Sequence, residues 1–344
     1  MGGQQAVEEA IVRRRRLVND AIEEDLPLEE PERLYEASRY LLKAGGKRLR
    51  PTILLLVAES LADVAPLSTD YRAFPDADGM AMDVLAAAVS VEIIQSFTLI
   101  HDDIMDDDDV RRGVPAVHRE YGLSTAILAG DTLYSKAFEN MLAADAPPER
   151  SVRALSQLAE TCTRICEGQS LDIDFEDRTD VAPEEYLEMT ELKTAVLYAT
   201  AASIPAVILG YDDAVESLYG YGLDVGRAFQ IQDDLLDLVT PTETLGKQRG
   251  SDLVEGKQTL ITVHARYRGV DVDSLVGADS VETVTEAEID DAVARLEAAG
   301  SLEYARETAR EFVASGKQHL DALPDNEPRH LLEGIADYLI EREY

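Results

Sequence analysis

The chain has 344 residues, 45% of them hydrophobic, which is enough to bury a large core. Its formal net charge is −36, from 68 acidic and 32 basic residues, so its field repels nucleic-acid backbones and we expect no nucleic-acid partner. Only seven of the basic residues are Lys, and an acidic surface poor in Lys is typical of a halophilic protein, with an ordinary acidic protein as the alternative.

Helical periodicity dominates the chain, and no convincing alternating strand pattern is present. In chain order, helices are predicted at about residues 6–24, 30–43, 50–63, 82–107, 123–144, 149–176, 184–209, 213–239, 287–299, 301–321 and 328–342. Gly and Pro residues separate them, and Gly269 through Val284 reads as a surface loop. Composition does not shift along the chain. We therefore predict a single all-α domain over residues 1–344, a helical bundle with a central cavity between helices.

Targeting and redox signals are weak. No apolar run approaches the length of a membrane span, and the first residues contain no apolar signal segment. We expect a cytoplasmic protein with no stable membrane insertion. Cys162 and Cys166 lack the spacing of a zinc site and are interpreted as small core residues.

One aspartate pattern occurs twice, 131 positions apart (233 − 102): Asp102-Asp103-Ile104-Met105-Asp106 and Asp233-Asp234-Leu235-Leu236-Asp237. Each copy follows an apolar run that predicts a helix, on which positions i and i+4 share a face and i+1 flanks it. Carboxylates grouped in this way suit Mg²⁺, which usually serves substrate phosphates. Two copies suggest two metal-binding walls around one phosphorylated substrate. Chance in an Asp-rich chain and a solvated acidic face are the alternatives.

Cations accompany both patterns. Four of the seven Lys lie in short polar or Gly-marked segments: Lys47, Lys193, Lys247 and Lys257. The pair Arg111-Arg112 follows the first aspartate pattern, and its guanidinium forks suit two phosphate groups. Lys47 and Arg50, beside the Gly45-Gly46 turn, provide a second anion site. Two anion sites indicate a transferase with two phosphorylated substrates, although loop and surface positions that tolerate any charge would look similar.

Six blocks occur in an order that resembles the trans-type isoprenyl diphosphate (polyprenyl) synthases: Gly45-Gly46-Lys47-Arg48-Leu49-Arg50-Pro51, Leu99 to Asp106, Arg111-Arg112-Gly113, Gly168-Gln169, Lys193-Thr194 and Phe229 to Asp237. The resemblance covers about residues 30 to 265 and is to short-chain archaeal geranylgeranyl and farnesyl diphosphate synthases. It implies the all-α isoprenoid synthase bundle, a homodimer, and two or three Mg²⁺ ions per site.

The resemblance also implies residue roles. Isopentenyl diphosphate would be held by Lys47, Arg50, Gln95 and Arg112, where Gln95 replaces the His of many members. The leading Mg²⁺ ligands would be Asp102, Asp106 and Asp233, supported by Asp103, Asp234 and Asp237. The allylic diphosphate would contact Arg111, Lys193, Thr194, Gln230, Lys247 and Lys257. Gln169 and Asp172 would line the cavity beside the developing cation.

The implied reaction ionises an allylic diphosphate (dimethylallyl, geranyl or farnesyl), and the double bond of isopentenyl diphosphate attacks the cation. No side-chain nucleophile is needed. Phe97 lies five residues before Asp102, about 7.5 Å along a helix, where a bulky ring can form the floor of the product tunnel. In the family that the chain resembles, an aromatic residue at this position is typical of archaeal synthases with a twenty-carbon product; ordinary core packing of Phe97 is the alternative. We therefore expect mainly geranylgeranyl diphosphate for isoprenoid lipids. A farnesyl or a mixed fifteen- and twenty-carbon synthase is the alternative.

Two other functional classes are consistent with parts of the sequence. A terpene cyclase shares one Asp-rich motif and a helical bundle, but it needs neither the segment from Gly45 to Pro51 nor a second aspartate pattern. A catalytically silent partner subunit would be expected to lose an Asp cluster or the cations, and this chain has both. Consumption of isopentenyl diphosphate by the purified chain alone separates these hypotheses from a synthase.

Overall fold

The computed structural model describes residues 2–176, 178–241, 249–277 and 283–341, and this part of the chain is predominantly α-helical. Its α-helices are α1 (Gly2–Asp25), α2 (Glu32–Lys43), α3 (Leu49–Leu61), α4 (Val84–Met105), α5 (Val117–Tyr121), α6 (Leu123–Ala143), α7 (Pro148–Glu176), α8 (Pro183–Thr190), α9 (Val196–Leu209), α10 (Val215–Val239), α11 (Ser251–Val254), α12 (Leu260–Tyr267), α13 (Glu286–Ala298), α14 (Ser301–His319) and α15 (Glu327–Glu341). A π-helical segment, Glu191–Ala195, joins α8 to α9. The all-α prediction is confirmed.

Short strands and 3₁₀ turns lie between the helices. Two antiparallel pairs of two-residue strands are present: β1 (Phe74–Pro75) with β2 (Ala81–Met82), and β3 (Val110–Arg111) with β4 (Val114–Pro115). Single 3₁₀ turns occupy Asp212–Ala214, Val272–Ser274 and Leu320–Ala322.

The predicted helices match the observed ones to within a few residues, with four differences. The predicted helix 184–209 is interrupted by the π-helical segment, and α5, α11 and α12 were not predicted. The two shortest of these helices have four and five residues, too few to show a 3.6-residue period. The predicted loop from Gly269 to Val284 contains a 3₁₀ turn, and its residues 278–282 lie outside the described part of the chain.

The chain divides into two compact units. Unit 1 contains Met1–Cys162, Thr200–Tyr219 and Leu320–Gly334, and unit 2 contains Thr163–Ala199, Gly220–His319 and Ile335–Tyr344. Four of the boundaries fall inside helices, namely α7, α9, α10 and α15. A single domain over the whole chain stays a prediction.

The core of unit 1 is centred on α4. Its residues from Val84 to Ile94 are all buried, and the helix packs mainly on α6 and also on α3 and α1. Asp83 caps its first turn by accepting a hydrogen bond of 2.8 Å from the backbone N–H of Ala86. Apolar residues all around the helix explain why it is central rather than amphipathic. The first aspartate motif is therefore carried at the end of a helix whose first half is completely buried.

In unit 2, α10 packs closely against the chain around Ala195 and Ala199. A Cβ atom on Gly222 or Gly226 would overlap the backbone of these two alanines. Gly222, Gly226 and Gln230 are spaced by four residues and share one face of α10. The small residues thus allow the close approach that brings Gln230 to the π-helical segment. The remainder of unit 2 includes α12, which packs on α14, α8 and α13.

Contrary to the expectation from the sequence, two stretches, Val84–Met105 and Pro183–Leu209, are long and apolar enough to cross a membrane by length and composition. In the folded chain, 78% and 83% of the 18-residue apolar window within each of these stretches is buried. The buried core helices of globular proteins meet the same criterion, so the two stretches are weak evidence for a membrane span.

Candidate active site

The first aspartate motif forms the last turn of α4 and its C-cap. Asp102 and Asp106 are half-buried, whereas Asp103 is completely buried. Arg111 donates to Asp103 through Nε at 2.6 Å and to Asp108 through Nη2 at 2.6 Å. Burial raises the pKa of Asp103, and the Arg111 guanidinium opposes that rise. The motif therefore presents two accessible carboxylates and one that is fixed by an arginine.

Arg111 and Arg112 diverge because they occupy different positions of one hairpin. Arg111 is in β3, paired with Val114, while Arg112 and Gly113 form the two-residue turn with positive φ angles of 53° and 76°. Two positive φ values in succession are typical of a type I′ turn. Arg111 consequently contacts the aspartate motif, and Arg112 donates to the backbone oxygens of Gly45 and, at 3.3 Å, of Leu41. The structure thus brings each arginine to a different candidate anion site.

The Gly45-Gly46 turn connects α2 to α3. Gly46 has a φ of 140°, and a Cβ atom there would come within 3.0 Å of the Arg112 guanidinium carbon. Arg48, the N-cap residue of α3, is buried, while Lys47 and Arg50 on either side of it are exposed and half-buried. Gln95 lies half-buried on α4, seven residues before Asp102 and on the same helix face. These are the residues predicted to hold isopentenyl diphosphate.

The second aspartate motif is at the C-terminal end of α10 and is organised differently. Asp233 is half-buried, while Asp234 is 5% and Asp237 1% exposed. Asp234 accepts hydrogen bonds from the Tyr186 hydroxyl at 2.5 Å and from Gln230 Nε2 at 3.0 Å. Desolvation of this buried carboxyl raises its pKa to about 8.

Asp237 supports the chain that follows the motif. Its two carboxylate oxygens accept from the Ser251 hydroxyl at 2.8 Å and from the Asp252 backbone N–H at 3.1 Å. The last aspartate of the second motif is therefore engaged in holding the start of α11. Within this motif, the half-buried Asp233 is the more accessible carboxylate.

The π-helical segment carries Lys193 and Thr194. Lys193 Nζ donates to Asp172 at 2.5 Å, and the Thr194 hydroxyl donates to Gln230 Oε1 at 3.0 Å. A Cβ atom on Gly168 would overlap the backbone N of Lys193, so only glycine allows α7 to approach here. Single π turns inside α-helices often occur at functional sites. The structure therefore brings Lys193, Thr194 and Gln230 to one place in unit 2.

The remaining predicted residues are less tightly grouped. Lys257 is 41% exposed at its side chain and lies 3.1 Å from Glu255 and 3.9 Å from Asp252. Lys247 lies outside the described residues. Gln169 is buried, and no hydrogen-bond partner for either atom of its amide is present in the described structure. Phe97 is half-buried, with its ring edge-on to His101 and to Tyr134 of α6.

Three contributors to these arrangements were not identified from the sequence: Tyr186, Ser251 and Glu92, the last of which pairs with the buried Arg48. Tyr186 and Ser251 had no distinguishing pattern in the sequence. Glu92 had one, because an acidic residue inside the apolar run of α4 must have a partner when the run is buried.

The carboxylates suit Mg²⁺, although no three acidic, His or Cys side chains of the described chain already converge as a metal site. Mg²⁺ at phosphate-processing sites typically uses one or two protein carboxylates and completes its shell with water and substrate oxygens. Asp103 Oδ2 is a buried carboxylate oxygen without a hydrogen-bond partner in the described residues. The hard oxygen donors of both motifs fit the ion.

An all-α fold with aspartate motifs at the ends of two long helices, the first of them beside the guanidinium of Arg111, defines a diphosphate-processing helical enzyme. The chain belongs to the polyprenyl synthetase family, whose model matches residues 31–294. The protein is accordingly a trans-prenyltransferase of the isoprenoid pathway, and its fold is that of the isoprenoid synthases.

Full-length similarity extends to named relatives. The chain is 70% identical over 339 residues to geranylfarnesyl diphosphate synthase of Natronomonas pharaonis, with 98% of each chain covered. It is 50% identical over 328 residues to geranylgeranyl diphosphate synthase of Methanosarcina mazei, with 95% of each covered. The solved structure of a geranylgeranyl pyrophosphate synthetase from Geoglobus acetivorans matches 96% of this chain and 99% of its own with a TM-score of 0.85 and 46% identity.

Proposed function

We propose that the protein is a Mg²⁺-dependent synthase that condenses isopentenyl diphosphate with allylic diphosphates, mainly to geranylgeranyl diphosphate. The divergence of Arg111 and Arg112 is the observation that carries this proposal. One guanidinium lies against the first aspartate motif and the other against the Gly45-Gly46 turn. Two separate cationic positions in one unit suit two diphosphate substrates, one associated with metal and one held directly by cations.

The metal ions would be held by Asp102, Asp106 and Asp233, the accessible carboxylates, with two or three ions per site. Bound Mg²⁺ would neutralise the negative charge that develops on the departing diphosphate. Asp103, Asp234 and Asp237 would act indirectly, since the first pairs with Arg111 and the others are fixed by hydrogen bonds.

The allylic diphosphate would be bound by Arg111, Lys193, Thr194, Gln230, Lys247 and Lys257. Lys193 and Thr194 are positioned by Asp172 and Gln230, so the ammonium and hydroxyl are already oriented before substrate binds. The buried amide of Gln169 supplies a dipole that can stabilise positive charge on the allylic carbons. The released proton has no dedicated basic side chain in this scheme, and the departing diphosphate would accept it.

Phe97 is proposed as the floor of the product tunnel. Its ring is braced by the ring of Tyr134, with centroids 5.4 Å apart, and Tyr134 in turn packs on Phe138 at 5.1 Å. A braced ring resists displacement by a growing chain better than an isolated one. Phe97→Ser should therefore lengthen the products, as measured by chromatography of the dephosphorylated alcohols. An unchanged product distribution would refute the assignment.

A twenty-five-carbon product is the second candidate. The relative from Natronomonas pharaonis, 70% identical to this chain, is named a geranylfarnesyl diphosphate synthase. Such a synthase would use the same residues and differ only in where elongation stops.

A homodimer is supported by the surface of α6. This helix exposes Leu123, Ile127, Leu128, Tyr134 and Leu142, each more than a third exposed. Apolar side chains repeated along one helix are uncommon on the surface of a monomer and often mark an interface. A monomeric mass in sedimentation equilibrium would refute the dimer.

A cytoplasmic, halophilic enzyme is consistent with the charge and with the buried state of the two long apolar helical stretches. Salt screens repulsion among its surplus carboxylates. Activity that collapses in molar KCl would contradict halophily.

The decisive experiment is a product assay on the purified chain. Protein in molar KCl with Mg²⁺ receives labelled isopentenyl diphosphate with dimethylallyl, geranyl or farnesyl diphosphate, and the alcohols are sized after dephosphorylation. A dominant twenty-carbon alcohol supports the proposal, and a twenty-five-carbon alcohol supports the second candidate. A fifteen-carbon end point keeps the reaction but moves the floor towards the metals. Absence of elongation would overturn the synthase assignment for the isolated chain.

A further inference from the structure

Glu92 is a buried acid on α4 that belongs to none of the recognised motifs. It is 3% exposed and lies one helical turn before Gln95, inside an apolar run. An ionised carboxylate at such a depth requires compensating partners. Two arginines, Arg48 and Arg112, are the partners of Glu92.

The first partner is Arg48. Arg48 Nη1 lies 2.5 Å from Glu92 Oε1, and both side chains are under 5% exposed. The remaining donors of Arg48 bond to Asn19 Oδ1 at 3.0 Å and to the backbone oxygen of Leu42 at 2.6 Å. Arg48 is thus committed to internal bonds that tie α1, the end of α2 and α4 to the start of α3. It is a brace for the segment that carries Lys47 and Arg50.

The second partner is Arg112, whose Nη2 is 3.9 Å from the same oxygen of Glu92. The other terminal nitrogen of Arg112 donates to the backbone oxygen of Gly45. One carboxylate oxygen therefore faces both the arginine inside the Gly45-to-Pro51 segment and the arginine at the tip of the β3–β4 hairpin.

Both arginines have left-handed backbone conformations, with φ of 52° at Arg48 and 53° at Arg112. Non-glycine residues adopt this conformation at an energetic cost and keep it where surrounding contacts determine it. Glu92 supplies a contact common to both positions.

The electrostatic environment of Arg112 also depends on Glu92. Burial lowers the pKa of Arg112, the Glu92 carboxylate raises it, and the guanidiniums of Arg48, Arg111 and Arg50 lower it further. Glu92 is thus the counter-charge that allows several guanidiniums to be close together before an anionic substrate arrives.

We propose that Glu92 is a positioning residue for the isopentenyl diphosphate site: it fixes Arg48 and Arg112 in their left-handed conformations and so sets the spacing of Lys47, Arg50 and Arg112. This inference rests on the proposed function, because it assigns isopentenyl diphosphate to these cations. It adds a requirement for a negative charge beside an anion site. Electrostatic potential alone would predict that removing the Glu92 carboxylate strengthens the binding of an anion, because the local positive potential increases. The positioning role predicts that binding becomes weaker.

The test is Glu92→Gln, which removes the charge and keeps the shape. We expect the KM for isopentenyl diphosphate to rise about tenfold or more, with the KM for the allylic substrate changed less than about twofold. The matched control is Glu59→Gln. Glu59 forms a similarly buried 2.5 Å pair with Arg14 in the same unit, and its other contacts are with Tyr71 and the Leu67 backbone N–H. The control should lose stability without changing the KM for isopentenyl diphosphate.

Each other outcome has a defined meaning. An unchanged or lower KM for isopentenyl diphosphate in Glu92→Gln overturns the inference, as does an equal rise in Glu59→Gln or for both substrates. If Glu92→Gln does not fold, the double variant Arg48→Met with Glu92→Met removes both members of the buried pair, so that Arg48 is not left as an unpaired buried charge, while Arg112 still loses the carboxylate. It should show the same selective rise in KM, and normal kinetics would overturn the inference. A wild-type chain that consumes no isopentenyl diphosphate would instead refute the proposed function itself.

Discussion

The two aspartate motifs have the same pattern but different surroundings. In the first, the buried Asp103 is paired with the charged side chain of Arg111. In the second, the buried Asp234 is held by neutral donors, the Tyr186 hydroxyl and the Gln230 amide. The pKa of Asp234 reaches about 8, whereas the rise at Asp103 is opposed by a guanidinium. The same pattern therefore behaves differently at its two positions, because the side chains packed around each motif determine what its aspartates can do.

The third positions differ as well. Asp106 is half-buried at the C-cap of α4, one turn from Asp102, and its backbone N–H donates to Asp102 O at 2.8 Å. Asp237 is buried and engaged with Ser251 and Asp252. The first motif therefore offers two accessible carboxylates and the second offers one.

The largest expected effect comes from removing an accessible carboxylate of either motif. Asp102→Asn and Asp233→Asn should each lower kcat about 10³-fold, because charge on the departing diphosphate loses its metal-assisted neutralisation. Steady-state kinetics at saturating Mg²⁺ measures this, and the free energy of unfolding should change little. A loss of activity confined to one motif would mean that the other has no part in the chemistry.

A smaller effect, on the free energy of unfolding, should distinguish the two buried aspartates, Asp103 and Asp234. Asp103→Asn leaves Arg111 without one of its carboxylate partners and should reduce the free energy of unfolding by about 1–3 kcal/mol. Asp234→Asn replaces a carboxyl that is mostly protonated at neutral pH and should cost less than about 1 kcal/mol. Urea titration of both variants at pH 7 without Mg²⁺ makes the comparison. Equal losses of unfolding free energy in the two variants would show that pairing with the Arg111 guanidinium and hydrogen bonding to neutral donors stabilise a buried aspartate equally.

An effect on stability similar to that of Asp234→Asn is expected for Tyr186→Phe. Loss of one hydrogen bond to Asp234 should cost about 1 kcal/mol of stability and raise the Mg²⁺ concentration for half-maximal rate several-fold. Tyr71 provides a control, because its hydroxyl also bonds a buried acid, Glu59, in unit 1. Tyr71→Phe should reduce stability without changing the Mg²⁺ requirement. A similar Mg²⁺ shift in both variants would remove the role assigned to Tyr186.

Much of the fold could be predicted from periodicity, since long helices such as α4 and α10 repeat the helical period many times. The π-helical segment could not, because Glu191–Ala195 continues the helical pattern on both sides. Its position depends on the contact of Gly168 with the backbone of Lys193, which joins residues 25 positions apart (193 − 168). The helix α12 was missed although Thr259 and Thr262 form a capping arrangement at its start.

In the candidate site, too, the local sequence blocks could be predicted, whereas the residues that contact them in the fold could not. Charged and Gly-marked blocks were recognisable along the chain, and the structure brings Arg112 to Gly45 and Thr194 to Gln230. The residues that hold these blocks were not recognised. Tyr186 differs from an ordinary helical residue only through its tertiary partner, and an acidic residue such as Glu92 in an apolar run indicates a buried partner without identifying it.

The β3–β4 hairpin has a consequence for how such enzymes can diversify. Its strands have two residues each and its turn has two, so no residue is available to absorb a change of length. Because side chains alternate between the faces of a strand, one inserted residue would exchange the directions of the two guanidiniums. Divergence in this region should therefore proceed by substitution, and a family tree should record its length as nearly constant while the loops around it vary.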